Sequence, residues 1–296
     1  MKKTTLLRQL IQAPRLLVMP GAYDALSARV IAEAGFAAIQ CSGFGMSATR
    51  LGLPDYSFLS LTDMLAATQP IVDAVDLPVM ADGDTGFGNA VNAWYTVQAF
   101  ERIGCAGINI EDQVAPKRCG HLDGKTIIPI DEAVAKIRAC AEARRDPDFV
   151  INARTDALAV GGIDEVVRRG NAYLEAGATM LFVDGLHDKA LARQAVQRIR
   201  APVAINVVEG GKSPGQFTFA EMEAMGIARV SLPGTLLMAA IQGMQDALAA
   251  VLANGYAGGP GAPLASFDAL KRLAGFEQVF ALEKRFLADL VVPQHG

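Results

Sequence analysis

Two aspartates separated by one residue, Asp82 and Asp84, open the chemistry of this sequence, in the run Asp82-Gly83-Asp84-Thr85-Gly86. On a strand, residues i and i+2 point to the same side, so both carboxylates would address one site. A few carboxylate oxygens with no further side-chain ligands suit Mg2+, which keeps several of its waters, with Mn2+ as the alternative ion. A calcium EF-hand would need Glu at the twelfth position counted from Asp82, where Ala93 stands. Asp55 and Glu111 fall in neighbouring segments and would join the same acidic group.

Other apolar runs also end in polar residues: Cys41-Ser42-Gly43, Ile110-Glu111-Asp112-Gln113, Asn152-Ala153-Arg154-Thr155-Asp156, Val183-Asp184, and Asn206 to Glu209. Polar side chains at the ends of buried strands need partners, and one shared site supplies them all. Lys117-Arg118-Cys119-Gly120-His121 follows directly. Two cations and a histidine beside a cysteine lower the thiol pKa and favour a reactive sulfur. The loop runs to a helix starting near Asp131, long enough for a lid over the site. Cys41, Cys105 and Cys140 lie in or near apolar segments and read as core. Gly210-Gly211-Lys212-Ser213 ends like a phosphate-binding loop, but Asn206 stands where its first glycine belongs and Pro214-Gly215 follows where a helix should start.

The elements that must position these residues repeat along the chain. Eight short apolar runs, Leu16–Met19, Ala37–Cys41, Val79–Asp82, Gly107–Ile110, Phe149–Asn152, Met180–Val183, Val203–Val207 and Arg229–Leu232, suit parallel strands buried on both faces. Helical stretches lie between them, at Asp24–Gly35, Asp131–Arg145, Asp164–Gly177 and Phe219–Gly226. Several end in a glycine just before the next strand, the residue that accepts a left-handed backbone there. Eight such units with no break in composition predict one α/β domain over 1–296, a (β/α)8 TIM-type barrel. A doubly wound sheet is the runner-up, but it usually has six strands and no G-x-G-x-x-G opens the first unit. From 254 onward a Gly-rich linker and a last amphipathic helix, Ser266–Leu290, would form a C-terminal arm packed on the barrel or on a partner. Leu236–Leu252 carries Gln242, Gln245 and Asp246 and reads as an amphipathic or buried helix, not a membrane span.

Composition limits the partners. With 27 Lys and Arg against 31 Asp and Glu the net charge is −4, and no basic tract offers a footprint for nucleic acid. At 51% hydrophobic and 20% charged residues the chain can fill a large core. Arg8, Gln9, Gln12 and Arg15 break any signal-peptide apolar region, so the expected setting is the cytoplasm, without a membrane partner.

Lys117-Arg118-Cys119-Gly120-His121 resembles the loop of the isocitrate lyase / phosphoenolpyruvate mutase superfamily. So do Gly52-Leu53-Pro54-Asp55, Asp82 to Gly88, Ile110-Glu111-Asp112-Gln113 and Ala153-Arg154-Thr155-Asp156, in order from about Pro20 to Thr235. The resemblance implies an α/β barrel whose eighth helix is swapped between subunits, in a homotetramer built as a dimer of such dimers. It implies Asp82 and Asp84 as Mg2+ ligands with Asp55 and Glu111 around them. Ser42, Gly43, Phe44 and Arg154 would bind the substrate carboxylate, Asn206, Glu209 and Asp184 would line the far side, and Gly120 with His121 would close over a second carboxylate. Cys119 would be the acid–base thiol with Lys117 beside it, among catalytic residues that include His121, Arg154 and Glu111. The expected reaction is cleavage of a carbon–carbon bond in a di- or tricarboxylate, since the mutase branch lacks the cysteine loop. Methylisocitrate lyases carry an arginine shortly after the eighth-strand proline, where Met238 aligns here, and 206–214 looks more like the 2,3-dimethylmalate lyase branch. Both favour a substituted malate over 2-methylisocitrate, with oxaloacetate hydrolase the other neighbour and a phosphonate mutase further off. Asp184 in place of the usual Glu, and Gly83 in place of the common Ala, are the departures.

Overall fold

The computed structural model describes residues 1–118, 124–208, 217–255, 258 and 264–287. They divide into two compact units, 1–238 and 239–296.

The first unit is the expected barrel. Its elements run α1 (Lys3–Gln12), β1 (Leu17–Ala22), α2 (Ala25–Glu33), β2 (Ile39–Cys41), α3 (Gly43–Leu51), α4 (Leu61–Ala74), β3 (Val79–Asp82), α5 (Ala90–Arg102) and β4 (Gly107–Glu111). They continue with α6 (Ile130–Ala143), β5 (Val150–Thr155), α7 (Leu158–Glu175), β6 (Met180–Val183), α8 (Lys189–Arg198), β7 (Val203–Asn206), α9 (Phe219–Met225) and β8 (Arg229–Leu232); α10 (Thr235–Asn254) starts in this unit and lies mostly in the second. All eight strands pair in parallel with their neighbours in sequence, and β8 closes on β1 through Leu17↔Arg229 to Pro20↔Leu232. The glycines expected to stop helices, Gly35, Gly104, Gly177 and Gly226, all have positive φ, from 84° to 105°.

Alternate residues along each strand face opposite sides, which sorts the polar from the apolar. Val79 and Ala81, Ile108 and Ile110, Ile151 and Ala153, Leu181 and Val183, Val203 and Ile205 belong to one core between sheet and helices. Their neighbours Met80, Val150, Met180, Phe182 and Ala204 belong to a second core inside the barrel, closed at the amino end by Leu7 and Ile11 of α1. Burying a side chain of this size contributes about 1.5–3 kcal/mol. The helix α1 is tied across that end through Thr5 Oγ1 to Asp148 Oδ2 (2.6 Å) and Thr4 Oγ1 to Asp146 Oδ2 (3.0 Å). Continuing the inward parity upward gives Asp82 on β3, Glu111 on β4, Arg154 on β5 and Asn206 on β7. The runs read as unbroken apolar segments because the lower inward positions hold Met, Phe and Ala.

Some boundaries differ from the sequence expectation. Helix α7 begins at Leu158 instead of Asp164 and carries a non-helical Gly162 within it. Helices α1 and α3 were not anticipated; α3 contains two glycines, a poor helix composition, and is held by Ser42, whose Oγ accepts from Gly45 N. The last helix, expected to be continuous over Ser266–Leu290, is two: α11 (Phe267–Ala274) and α12 (Phe276–Phe286), broken at Gly275 with φ 77°. Its expected end, residues 288–290, lies outside the described residues. Helix α10 is long and apolar enough to cross a membrane by length and composition alone, with mean hydropathy 1.5 and 6% of that window buried. It is therefore not the buried helix allowed for from the sequence: Met238, Ile241, Met244, Leu248 and Val251 form an exposed stripe at helical spacing.

Candidate active site

The acidic pair does not arise from one strand. β3 ends at Asp82, and Asp84 lies in the turn beyond it with φ 47°. The turn folds back so that Asp84 N donates to Asp82 Oδ1 (3.2 Å), while Lys136 Nζ ties it from behind through Thr85 O (2.7 Å). Asp82 Oδ2 accepts from Gly43 N at the start of α3 (3.1 Å). Gly83 has a physical reason where Ala is common: a Cβ there would sit 2.7 Å from the Cδ1 atoms of Ile108 and Ile110 and 2.8 Å from Asn109 O. The buried Lys117 ammonium bridges Asp84 Oδ1 (2.6 Å) and Asp55 Oδ2 (2.9 Å). Asp55, placed with the metal ligands from the sequence, is thus engaged with Lys117.

On the opposite side Arg154 is clamped by three carboxylates. Its Nε meets Glu111 Oε2 (3.2 Å) and Asp156 Oδ2 (2.9 Å), and its Nη2 meets Asp156 Oδ1 (2.9 Å) and Asp184 Oδ1 (3.2 Å). Its guanidinium stacks 5.2 Å from the Phe182 ring centroid. Lys125 Nζ adds a second cation between Asp156 (2.7 Å) and Asp184 (2.5 Å). Asn206 Nδ2 donates to Asp184 Oδ1 at 3.4 Å.

Behind this cluster Asp112 Oδ1 accepts from Asp156 N (2.9 Å), and its Oδ2 accepts from Thr155 Oγ1 (2.7 Å), Tyr173 OH (2.7 Å) and Arg169 Nη1 (3.2 Å). Ser42 Oγ donates to Pro233 O (2.9 Å), so its hydroxyl proton is used within the fold. Phe44 is the second residue of α3. The two described legs of the loop after β4 pair through Gln113↔Ile127, and Gln113 exchanges hydrogen bonds with the backbone of Arg118. Cys119, Gly120, His121 and Glu209, all assigned roles from the sequence, lie outside the described residues.

Five charged residues of this arrangement had no assigned role: Asp112, Asp156, Lys125, Lys136 and Arg169. Asp156 stands two residues after Arg154, a spacing that could have flagged it. Lys125 carries no local signal, being 31 and 59 residues from its partners.

Burial sets the electrostatics. It pushes the Asp84 carboxyl up to about 7 despite Lys117, and the Glu111 carboxyl up to about 8 despite Arg154 and Lys117. Burial pulls the Lys117 ammonium down, but Asp84, Asp55 and Glu111 outweigh it and the net shift is upward. Arg154 follows the same pattern, burial being outweighed by Asp156, Asp184 and Glu111.

Among the described residues no three His, Cys, Asp or Glu side chains converge to hold a metal by themselves. The donor set nevertheless fits Mg2+ carrying its own water. Among the described residues Glu111 Oε1 is buried with no hydrogen-bond partner and Asp84 Oδ1 meets only the Lys117 ammonium, and both carboxyls are kept high by burial, a cost a nearby divalent cation offsets.

A closed parallel barrel with carboxylates and cations gathered at the carboxyl ends of β3 to β7 defines an α/β-barrel enzyme. The family described as phosphoenolpyruvate phosphomutase matches residues 7–252. The 2,3-dimethylmalate lyase of Eubacterium barkeri is 39% identical over 280 residues, 95% of this chain and 96% of its own length. The 2-methylisocitrate lyase of Escherichia coli is 43% identical over 218 residues, 73% of each chain. A phosphonopyruvate hydrolase solved with oxalate and Mg2+ superposes with a TM-score of 0.88 at 33% identity, covering 97% of this chain and 100% of its own. This chain belongs to the phosphoenolpyruvate mutase / isocitrate lyase superfamily, in which its named relatives include lyases.

Proposed function

We propose that this chain is a Mg2+-dependent carbon–carbon lyase cleaving a 2-hydroxy dicarboxylate of the 2,3-dimethylmalate type into a 2-oxo acid such as pyruvate and a second carboxylic acid. The observation that carries the reading is one buried mouth holding both the Asp82/Asp84/Glu111 acidic group and the clamped Arg154. Asp82 and Asp84 would hold the ion, with Asp55 acting through Lys117 and Glu111 nearby. When bound, Mg2+ supplies Lewis-acid polarisation of the substrate's hydroxyl and adjacent carboxylate. Gly43 N fixes the Asp82 carboxylate, and Arg154 presents a cation to the substrate's anionic end. Cleavage breaks the C2–C3 bond: the hydroxyl proton would pass to the Glu111 carboxylate, whose Oε1 has no partner among the described residues, C2 becomes the carbonyl of the 2-oxo acid, and the electron pair passes to C3 as a carboxylate enolate. Cys119 would return a proton to that carbon, with Lys117 and His121 beside it in sequence keeping the thiol reactive.

The substrate is a substituted malate because Met238 stands where a tricarboxylate-binding arginine would. The 2-methylisocitrate lyase reading keeps its place through the 43% identity to the Escherichia coli enzyme. Incubation with Mg2+ and 2,3-dimethylmalate, 2-methylisocitrate, isocitrate or oxaloacetate, with detection of the 2-oxo acid or oxalate, decides between them. Release of pyruvate from dimethylmalate is expected; turnover of tricarboxylates alone would refute the substrate assignment.

The exposed stripe on α10, together with Phe267 and Leu270 on α11 and Val279, Phe280 and Phe286 on α12, is apolar surface that a helix exchanged with a second copy would cover. Light scattering on the purified protein is expected to give the mass of four chains, a tetramer; a monomer at micromolar concentration would exclude the exchange.

A further inference from the structure

Below the mouth the barrel interior holds a cation that, among the described residues, no acid answers. Arg229, the first residue of β8, is fully buried. Its Nη2 donates to Gln40 Oε1, its Nε lies 3.1 Å from Met19 Sδ, and its Nη1 has no hydrogen-bond partner among the described residues. Burial pulls the guanidinium down to about 9, which leaves it charged at neutral pH. A core that needed only volume would be better served by a neutral side chain, because an unpaired buried charge is costly. Its surroundings give the charge a direction: Arg229 Cζ lies 6.0 Å from the Phe182 ring centroid, and Arg154 Cζ lies 5.2 Å from the same centroid. The two guanidinium carbons are therefore within about 11 Å of each other.

The mouth needs such a charge. Even with Glu111 mostly protonated and Asp84 partly so at neutral pH, its carboxylates, Asp82 included, outnumber Lys117, Lys125 and Arg154. A dicarboxylate entering it meets net repulsion, while a metal ion meets net attraction. We propose that Arg229 is an electrostatic positioning residue, a fixed positive charge under the mouth that strengthens the binding of dianionic ligands and weakens that of the metal. The inference rests on the mouth being a dicarboxylate site. At a separation of about 11 Å and an effective dielectric constant of about 20, one unit charge acting on another changes an affinity on the order of tenfold.

Calorimetric titrations of Mg2+ alone, and of oxalate at saturating Mg2+, test it on Arg229→Met, Arg229→Gln and Arg229→Lys. The Met and Gln variants are expected to lose roughly ten- to hundredfold in oxalate affinity and to gain by a similar factor in Mg2+ affinity, both ligands being doubly charged. The Lys variant is expected to stay within about threefold of wild type for both, since it keeps the charge. Opposite signs for the two ligands are what structural loosening cannot produce. Neutral variants that match wild type, or that lose both ligands together, overturn the proposal, as does a Lys variant that behaves like them. The Gln side chain retains a donor for Gln40, so it carries the test if the Met variant fails to fold by circular dichroism. Wild-type protein that binds no oxalate overturns the dicarboxylate reading instead.

Discussion

Arg154→Lys is expected to lower kcat/KM by about 10^3-fold while the barrel stays folded. The substitution keeps the charge, so the loss measures geometry. The guanidinium holds Glu111, Asp156 and Asp184 with two nitrogens in one plane, and that plane lies on Phe182. An ammonium is a point charge on a flexible stem and reaches one or two of the three acids. The acid left without a partner is buried, and breaking one side of a buried pair costs about 3–5 kcal/mol. Glu111 feels it most directly. Its carboxyl is pushed up by burial and held down in part by Arg154, so loss of the fork raises it further and leaves it protonated over a wider pH range. Lys125 cannot compensate, because its ammonium already lies between Asp156 and Asp184. Steady-state kinetics with the substrate identified by the cleavage panel provides the measurement. A loss below about tenfold would mean that Arg154 is a structural cation and that another group meets the substrate.

The barrel could be read from the sequence because each strand is a short apolar run with a hard stop. Runs ending at Asp82, Val183 and Leu232 have the same ends in the structure, since Gly, Asp or Pro follows each. β1 and β5 each run three residues past the expected end: β5 continues from Asn152 through Arg154 to Thr155, and β1 through Pro20 to Ala22, because Pro20 needs no donor of its own to pair with Leu232. Helix ends with a glycine stop were equally legible, whereas α3 was hidden by its own glycines. The site was legible where chemistry is written locally, as in Asp82 with Asp84 or Arg154 in its polar run. Even there the physical reason differed, since Asp84 reaches the mouth through a left-handed turn and not through strand alternation. What stayed hidden depends on distant closure. Lys125 enters only because the legs of the loop after β4 pair with each other, and Arg229 looks like a strand-edge cation until the barrel closes around it.

Asp112→Ala is expected to have the largest effect on stability, about 3–5 kcal/mol, together with a loss of activity. One carboxylate here satisfies four donors from two elements: Asp156 N and Thr155 Oγ1 at the end of β5, and Tyr173 OH and Arg169 Nη1 on α7. Removing it leaves the Asp156 amide buried and unmet and takes one of the two acceptors of Arg169 Nη1, which keeps Tyr173 OH (3.1 Å) while its Nε keeps Glu165 (2.7 Å). Asp112→Asn separates charge from hydrogen bonding. With its carbonyl oxygen kept on Asp156 N, the amide NH2 faces Thr155 and Tyr173, whose hydroxyls can rotate to accept. Arg169 cannot accept, so the Asn variant should lose chiefly that pair and fall between wild type and Ala. Urea unfolding of the three proteins gives the order directly. The activity loss should follow the same order, because the Asp156 amide is the anchor of the turn whose side chain grips Arg154. If Asn proves as stable as wild type but loses activity like Ala, the anchor acts through charge at the mouth; if both variants keep activity, Asp156 is held by Lys125 and Arg154 alone.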